Sequence, residues 1–157
     1  MPVILRPITT SETESIVAML QDAEEGEERI RAAVVDAANT SYAALDSDML
    51  VGAATVRWEQ HESEIIYIAV AHDLRNRGYG RAMIEVLFNE MRQRGVAALL
   101  VGTANSSLEN IAFYQKCGFR LHSVRQNFFD YIQPPIVEHG IIMRDMLVMR
   151  YMRDASS

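Results

Sequence analysis

The stretch Glu64 to Met83, EIIYIAVAHDLRNRGYGRAM, narrows the choice of fold more than any other part of the chain. Ile65 to Val70 is an apolar, β-rich run bounded by polar residues and too short for a free-standing helix, so it predicts a buried strand. A polar loop follows from Ala71 to Arg77. Gly78-Tyr79-Gly80 then opens a segment in which Met83, Leu87 and Met91 recur at every fourth position beside Ile84 and Phe88, the pattern of a helix with one core face. A strand that feeds a helix through such a loop leaves backbone N–H groups without partners at the helix start, backed by the positive end of the helix dipole. Gly78 and Gly80 have no Cβ to hold a ligand away from that backbone. Arg75, Arg77 and Arg81 add fixed positive charge in an otherwise acidic chain. Glycines alone would be explained by the turn; glycines together with arginines read as an anion site for a phosphate or pyrophosphate.

Two nucleotide motifs fail on inspection. A dinucleotide fingerprint needs a third glycine where Met83 stands, and a Walker A loop needs Lys-Ser/Thr where Arg81-Ala82 stand. What does fit is a resemblance. Arg75-Asn76-Arg77-Gly78-Tyr79-Gly80 matches the Arg/Gln-x-x-Gly-x-Gly/Ala signature of the GNAT superfamily of N-acetyltransferases, after a strand ending Ile68-Ala69-Val70. Downstream, the run from Asn105 through Tyr114 to Gly118-Phe119 resembles the second cofactor motif of that family. The resemblance covers the central part of the chain and is looser at both ends.

The rest of the chain is consistent with one domain over 1–157 with a core of about 3–152. A chain of 157 residues, 49% hydrophobic and 23% charged, is ordinary for one globular unit. Its net charge of −6 argues against nucleic acid as a partner. No apolar run approaches the roughly 20 residues that span a bilayer. With one cysteine, Cys117, no intrachain disulfide can form, and a cytoplasmic location without a membrane partner is expected. Val3 to Ile8 reads as an opening strand. Two helices follow, the second over about Glu27 to Asn39, with an acidic run (Asp22, Glu24, Glu25, Glu27 and Glu28) that could attract a cationic substrate or simply face water. Ser41 to Leu45, Met49 to Trp58 and the central strand form an antiparallel meander, in which Gly52 signals a bulge or a close backbone approach. Val96 to Val101 closes a β-α-β crossover. Asn105 or Ser106 caps a short helix, Phe119 to Val124 is a strand, Gln126 to Gly140 is irregular and aromatic, and Ile141 to Met152 is the last strand. The expected fold class is therefore α/β (α+β): a single GNAT-like domain with a mixed, mostly antiparallel twisted sheet, a central β-α-β unit and helices on both faces.

The resemblance implies acetyl transfer from acetyl-CoA, as co-substrate and without a metal, to a primary amine. It implies that the backbone of Arg75, Asn76, Arg77, Gly78, Tyr79 and Gly80, with Arg81 beside it, holds the pyrophosphate. Ile68, Ala69 and Val70 would line the pantetheine arm, with the Val70 N–H on the thioester oxygen. Tyr114 would be the general acid on the departing thiolate, for which a phenol of pKa about 10 is better matched than a carboxylic acid. Glu64 would be the base, since a carboxylate entering an apolar strand is partly desolvated and suited to taking a proton. Glu59 and Glu62 are substitutes nearby.

The chain departs from the ribosomal-protein branch of that family, which carries a glutamate where Gly102 stands and an asparagine where Ser107 stands. Ser107, Asn105 and Asn110 remain as polar contacts for the cofactor. Phe128, Phe129, Tyr131, Glu138 and His139 are candidates for shaping an acceptor pocket. The expected partner is a small-molecule amine. A protein lysine, a catalytically silent acyl-CoA sensor and a homodimer are the alternatives left open.

Overall fold

The computed structural model describes residues 2–21 and 26–153. Most of the predicted acidic run, 22–25, lies outside them. A seven-stranded sheet carries the fold, in the order β1-β2-β3-β4-β5-β9-β6. Its strands are β1 (Val3–Pro7), β2 (Thr40–Asp46), β3 (Met49–Arg57), β4 (Glu62–Val70), β5 (Ala98–Ala104), β6 (Arg120–Arg125) and β9 (Met146–Met152). A small hairpin of β7 (Val137–Glu138) and β8 (Ile141–Ile142) stands apart from it. Among the described residues the only parallel pair in that sheet is β4 with β5, joined across helix α3 (Tyr79–Arg94).

Apolar periodicity places the helices. Helices α1 (Thr13–Leu20) and α2 (Glu27–Val35) bury Ile16, Val17, Leu20, Ile30 and Val34 against Ala43, Ala53 and Tyr67 on one face of the sheet. On the other face, α3 presents Ile84, Leu87, Phe88 and Met91 to Val56, Ile65, Leu99 and Met149. Helix α4 (Leu108–Lys116) joins that layer through Tyr114, and Phe88 stacks on Tyr151 with ring centroids 3.7 Å apart. Glycines at both ends of α3, Gly78 (φ 89°) and Gly95 (φ 71°), take the left-handed conformation that a Cβ disfavours.

Two irregularities shape the site. Between β2 and β3 the register steps from Ala44 opposite Gly52 to Leu45 opposite Leu50, so Val51 is an extra residue. Gly52 beside it is tight as well as bulged: an added Cβ would lie 2.5 Å from the carbonyl oxygen of Ala69 and 2.9 Å from the Met83 sulfur. Between β3 and β4, Thr55 faces Tyr67 and Val56 faces Ile65, leaving Ile66 as the extra residue. This second bulge gave no signal in the sequence, because Ile66 is one more β-branched residue in an apolar run.

Three expectations need adjustment. Helix α2 stops at Val35, with Asp36 extended, rather than running to Asn39. The last strand is divided: Ile141 and Ile142 belong to the hairpin, and Met146 begins β9. The N-cap of α4 is Ser107, without a side-chain cap bond, rather than Asn105 or Ser106.

Candidate active site

The site begins where β4 and β5 part. Their parallel pairing covers only Glu62 to Ile65 against Ala98 to Val101, although both strands continue. Parting begins at the Ile66 bulge, which turns β4 away from its neighbour. The Ala71 N–H donates to the Val51 carbonyl at 2.8 Å, so residue 71 faces β3. Main-chain groups alternate sides along a strand, so those of Val70 and Ile68 face the gap instead. The Val70 carbonyl confirms this by accepting from Arg75 Nε at 3.3 Å.

The gap leads to the N-terminus of α3. The first turn bond there runs from the Ala82 N–H to the Gly78 carbonyl, which leaves the N–H groups of Gly78, Tyr79, Gly80 and Arg81 without partners in the helix. Asn76 (φ 63°) and Gly78 both take left-handed conformations, folding the loop back over the helix end. Arg75, Asn76, Arg77 and Arg81 are exposed around it. The side chain of Tyr79 is turned inward: it is buried, and its hydroxyl donates to Asp46 at 2.7 Å. That bond, with burial, raises the phenol pKa. Arg81 Nη1 donates to the Lys116 carbonyl at 3.1 Å, tying α3 to the end of α4. Gly80 faces Phe113 and Val70, whose atoms would lie 3.1 Å and 3.6 Å from an added Cβ. N–H donors without partners in the helix, two residues with positive φ and nearby guanidinium groups make a site suited to an anion such as a phosphate.

Tyr114 stands on the other wall. Its ring packs edge-on between Phe113 and Phe119, at centroid distances of 5.3 Å and 5.8 Å. The hydroxyl makes no hydrogen bond to a described residue. Yet no buried side-chain oxygen or nitrogen among those residues lacks a partner, so the Tyr114 oxygen reaches the surface. Burial, then the nearby Cys117 sulfur, pushes the phenol pKa up, which keeps the proton on. Cys117 is itself buried, and burial raises its thiol pKa.

Glu64 lies on the β4 segment still paired with β5, opposite Leu100. Both of its oxygens accept from Arg125, at 3.0 Å and 3.1 Å. Glu59 and Glu62 are exposed, with Glu62 4.0 Å from Arg150. Arg125 was not foreseen: it closes an exposed strand three places away in the sheet, and nothing in the local pattern marks it as reaching β4. A side chain at position 102 would collide with the Met146 sulfur and lie 2.9 Å from its Cγ. A glutamate at this position would therefore require the Met146 side chain to move.

The β5–α4 turn is held by the 126–145 segment. Asn105 Oδ1 accepts from the N–H groups of Arg144 and Asp145 at 2.9 Å and 3.0 Å, and its Nδ2 donates to the Ile142 carbonyl at 3.0 Å. Ser106 and Ser107 hydroxyls both donate to Glu138 Oε1, at 2.9 Å and 3.0 Å. His139 pairs with Glu109 at 2.8 Å. Asn110 is exposed on α4. Phe129 is buried with Met143 and Met146, Phe128 packs against them, and Tyr131 meets Arg29 of α2, whose guanidinium lies 3.9 Å from the ring centroid. Among the described residues no group of three or more His, Cys, Asp or Glu could hold a metal ion. No helix in the described residues is long and apolar enough to cross a membrane.

Comparison with known proteins agrees with this geometry. The family model described as Acetyltransferase (GNAT) family matches residues 7–119. An uncharacterized N-acetyltransferase of Bacillus subtilis, YvbK, is 32% identical over 108 residues, 68% of this chain and 70% of that one. A GNAT family acetyltransferase from Elizabethkingia anophelis, solved with acetyl-CoA bound, superposes with a TM-score of 0.85 at 29% identity, over 96% of this chain and 97% of that one. An IAA acetyltransferase from Bacillus cereus gives a TM-score of 0.82 at 30% identity, over 96% and 99%.

Proposed function

The chain belongs to the acetyltransferase (GNAT) family, a premise from which we propose that it acetylates a primary amine of a small molecule by direct transfer from acetyl-CoA. One observation carries the reading. Strand β4 leaves β5 after Ile65, and the main chain of Ile68 and Val70 faces a gap that ends at the unpaired N–H groups of α3.

Acetyl-CoA supplies an activated acetyl thioester. The N–H groups of Gly78 to Arg81, with the surrounding arginines, hold its pyrophosphate. Ile68 and Val70 pair with the pantetheine arm as with an added strand. One of their N–H groups meets the thioester oxygen and stabilises the charge that gathers there as the amine nitrogen attacks; such a donor is worth about 3 kcal/mol. Glu64 lies four residues from Ile68 and six from Val70, roughly 13 Å and 20 Å along the strand. The resemblance assigns the thioester oxygen to the Val70 N–H; the shorter separation favours Ile68 instead for a reaction in which Glu64, through a water, takes the amine proton. Tyr114 gives its proton to the sulfur as the C–S bond breaks, and is reprotonated from solvent for the next turnover. Cys117, buried and protonated, offers no acetyl-enzyme route.

The test is acetyl-CoA turnover with a panel of small amines, followed by release of the CoA thiol. Tyr114→Phe lowers kcat by roughly 10²- to 10⁴-fold with acetyl-CoA affinity retained. Glu64→Gln has the same signature. Unchanged kcat in both variants would overturn the assignment.

A further inference from the structure

The N–H groups of 78–81 are presented by a loop that a buried side chain ties to the sheet. Resting on the reading of that loop as the pyrophosphate site, we infer that Asp46 and Tyr79 are positioning residues for acetyl-CoA, because the bond between them fixes the donors in the arrangement the anion needs. Tyr79 is the first residue of α3, and its own N–H is one of those without a helical partner. Its ring is buried in a cluster with Val3, Ala44, Val51, Ala54 and Met83, and its hydroxyl donates to Asp46 Oδ2 at 2.7 Å. The bond to Asp46 first, then burial, raises the phenol pKa, so the hydroxyl remains a donor.

The two ends of this tether differ in rigidity. Asp46 is the last residue of β2, paired with Val3 of β1 and, across the two-residue turn Ser47-Asp48, with Met49 of β3. Three strands therefore fix where its carboxylate lies. The loop has no such frame. His72, Asp73 and residues 75–78 are exposed, and Leu74 is the loop residue that packs against the cluster around Tyr79. Asn76 holds a left-handed conformation, which for a residue other than glycine persists only where the surroundings impose it. A hydrogen bond to a carboxylate is one of the stronger ways to impose it. Without that bond the loop would spend part of its time in shapes whose N–H groups do not converge. Acetyl-CoA affinity would then fall in proportion to the competent fraction that is lost.

The experiment is calorimetric titration with acetyl-CoA, with steady-state kinetics beside it, on wild type and a set of variants. Tyr79→Phe keeps the ring and should raise Kd and KM for acetyl-CoA roughly tenfold, the size of one hydrogen bond to a charged group, with kcat unchanged. Asp46→Ala should match it, and combining the two should add nothing further, because both remove the same bond. Asp46→Asn keeps an accepting oxygen and should recover most of the affinity. Tyr42→Phe is the control: Tyr42 is as deeply buried, and its hydroxyl accepts from Trp58 Nε1 at 2.8 Å rather than reaching the loop. It should lower stability in urea and leave Kd at the wild-type value. Wild-type affinity in Tyr79→Phe or in Asp46→Ala overturns the proposal. So do additive losses in the double variant, or an equal loss of affinity in Tyr42→Phe. A wild-type protein that does not bind acetyl-CoA at all ends the pyrophosphate reading itself, whereas unchanged affinity in the variants of a wild type that binds ends only the tether.

Discussion

Replacing Gly78 by alanine separates the ligand-binding role of the α3 start from its folding role. Gly78 has φ 89° and ψ 2°, and holding an L-residue there costs about 1–2 kcal/mol. The protein can answer in two ways. If the loop keeps its shape, the penalty appears as lost stability. If the loop relaxes, the N–H groups of 78–81 turn away and the penalty appears in binding, where 1–2 kcal/mol is a factor of about 5 to 30 in Kd. Gly95 supplies the control, because it caps the same helix at its other end with φ 71° and only Arg153 Nη1, at 3.9 Å, near an added Cβ. Gly95→Ala should lower stability by a similar amount and leave acetyl-CoA binding untouched. Gly78→Ala should lower the sum of stability and binding free energies, with a part that appears only in the titration. Urea denaturation of the free protein and calorimetric titration with acetyl-CoA measure both. Equal loss of affinity in the two variants, or none in Gly78→Ala with stability also unchanged, would refute the reasoning.

Other expectations follow from contacts elsewhere. Gly52→Ala forces a methyl against the Ala69 carbonyl, so β3 or β4 must shift; denaturation should show a loss of about 1–3 kcal/mol, the range for overpacked cores. Glu12 accepts from Arg6 at 2.8 Å and 2.9 Å and from the Thr9 N–H at 2.9 Å. Arg6 first, then Thr9, holds its carboxyl at about 2. A depressed carboxyl pKa contributes stability that is complete above the ordinary carboxyl range and is lost as pH falls toward 2. Glu12→Gln should therefore flatten the fall of stability in that window, as seen in denaturation midpoints from pH 5 to 2. Part of the fall will remain, because Arg31 lowers Glu14 and its own backbone and His139 lower Glu109 in the same direction.

The parts of the fold legible in the sequence were those fixed by local pattern. The apolar run before Ala71, the four-residue recurrence through Met83, Leu87 and Met91, and the glycine pair at 78 and 80 each answer to geometry within one turn or one strand. Gly52 was legible for the same reason: a glycine in a strand interior needs a cause, and it stands at a bulge beneath a neighbouring carbonyl. What stayed hidden depends on residues distant in sequence. The Ile66 bulge is an apolar residue among apolar residues, visible only through its register against Thr55 and Val56. Arg125 reaches Glu64 across 61 positions. Asn105 reads as a helix cap because its neighbours allow it, but residues 142 to 145 satisfy its amide instead. Glu138 and His139 were named as pocket residues, yet they hold Ser106, Ser107 and Glu109, because a hairpin folds the insert back on the start of α4.

The account's central claim is direct transfer within a complex holding both substrates, with Tyr114 as the acid. The measurement that tests it most directly is the initial rate of CoA release with acetyl-CoA and the best amine varied together, in wild type and Tyr114→Phe. The account predicts intersecting double-reciprocal lines for wild type, and a Tyr114→Phe protein that binds acetyl-CoA normally but turns over at least a hundredfold more slowly. Parallel lines with an acetyl group trapped on the protein, or full activity in Tyr114→Phe, would contradict it.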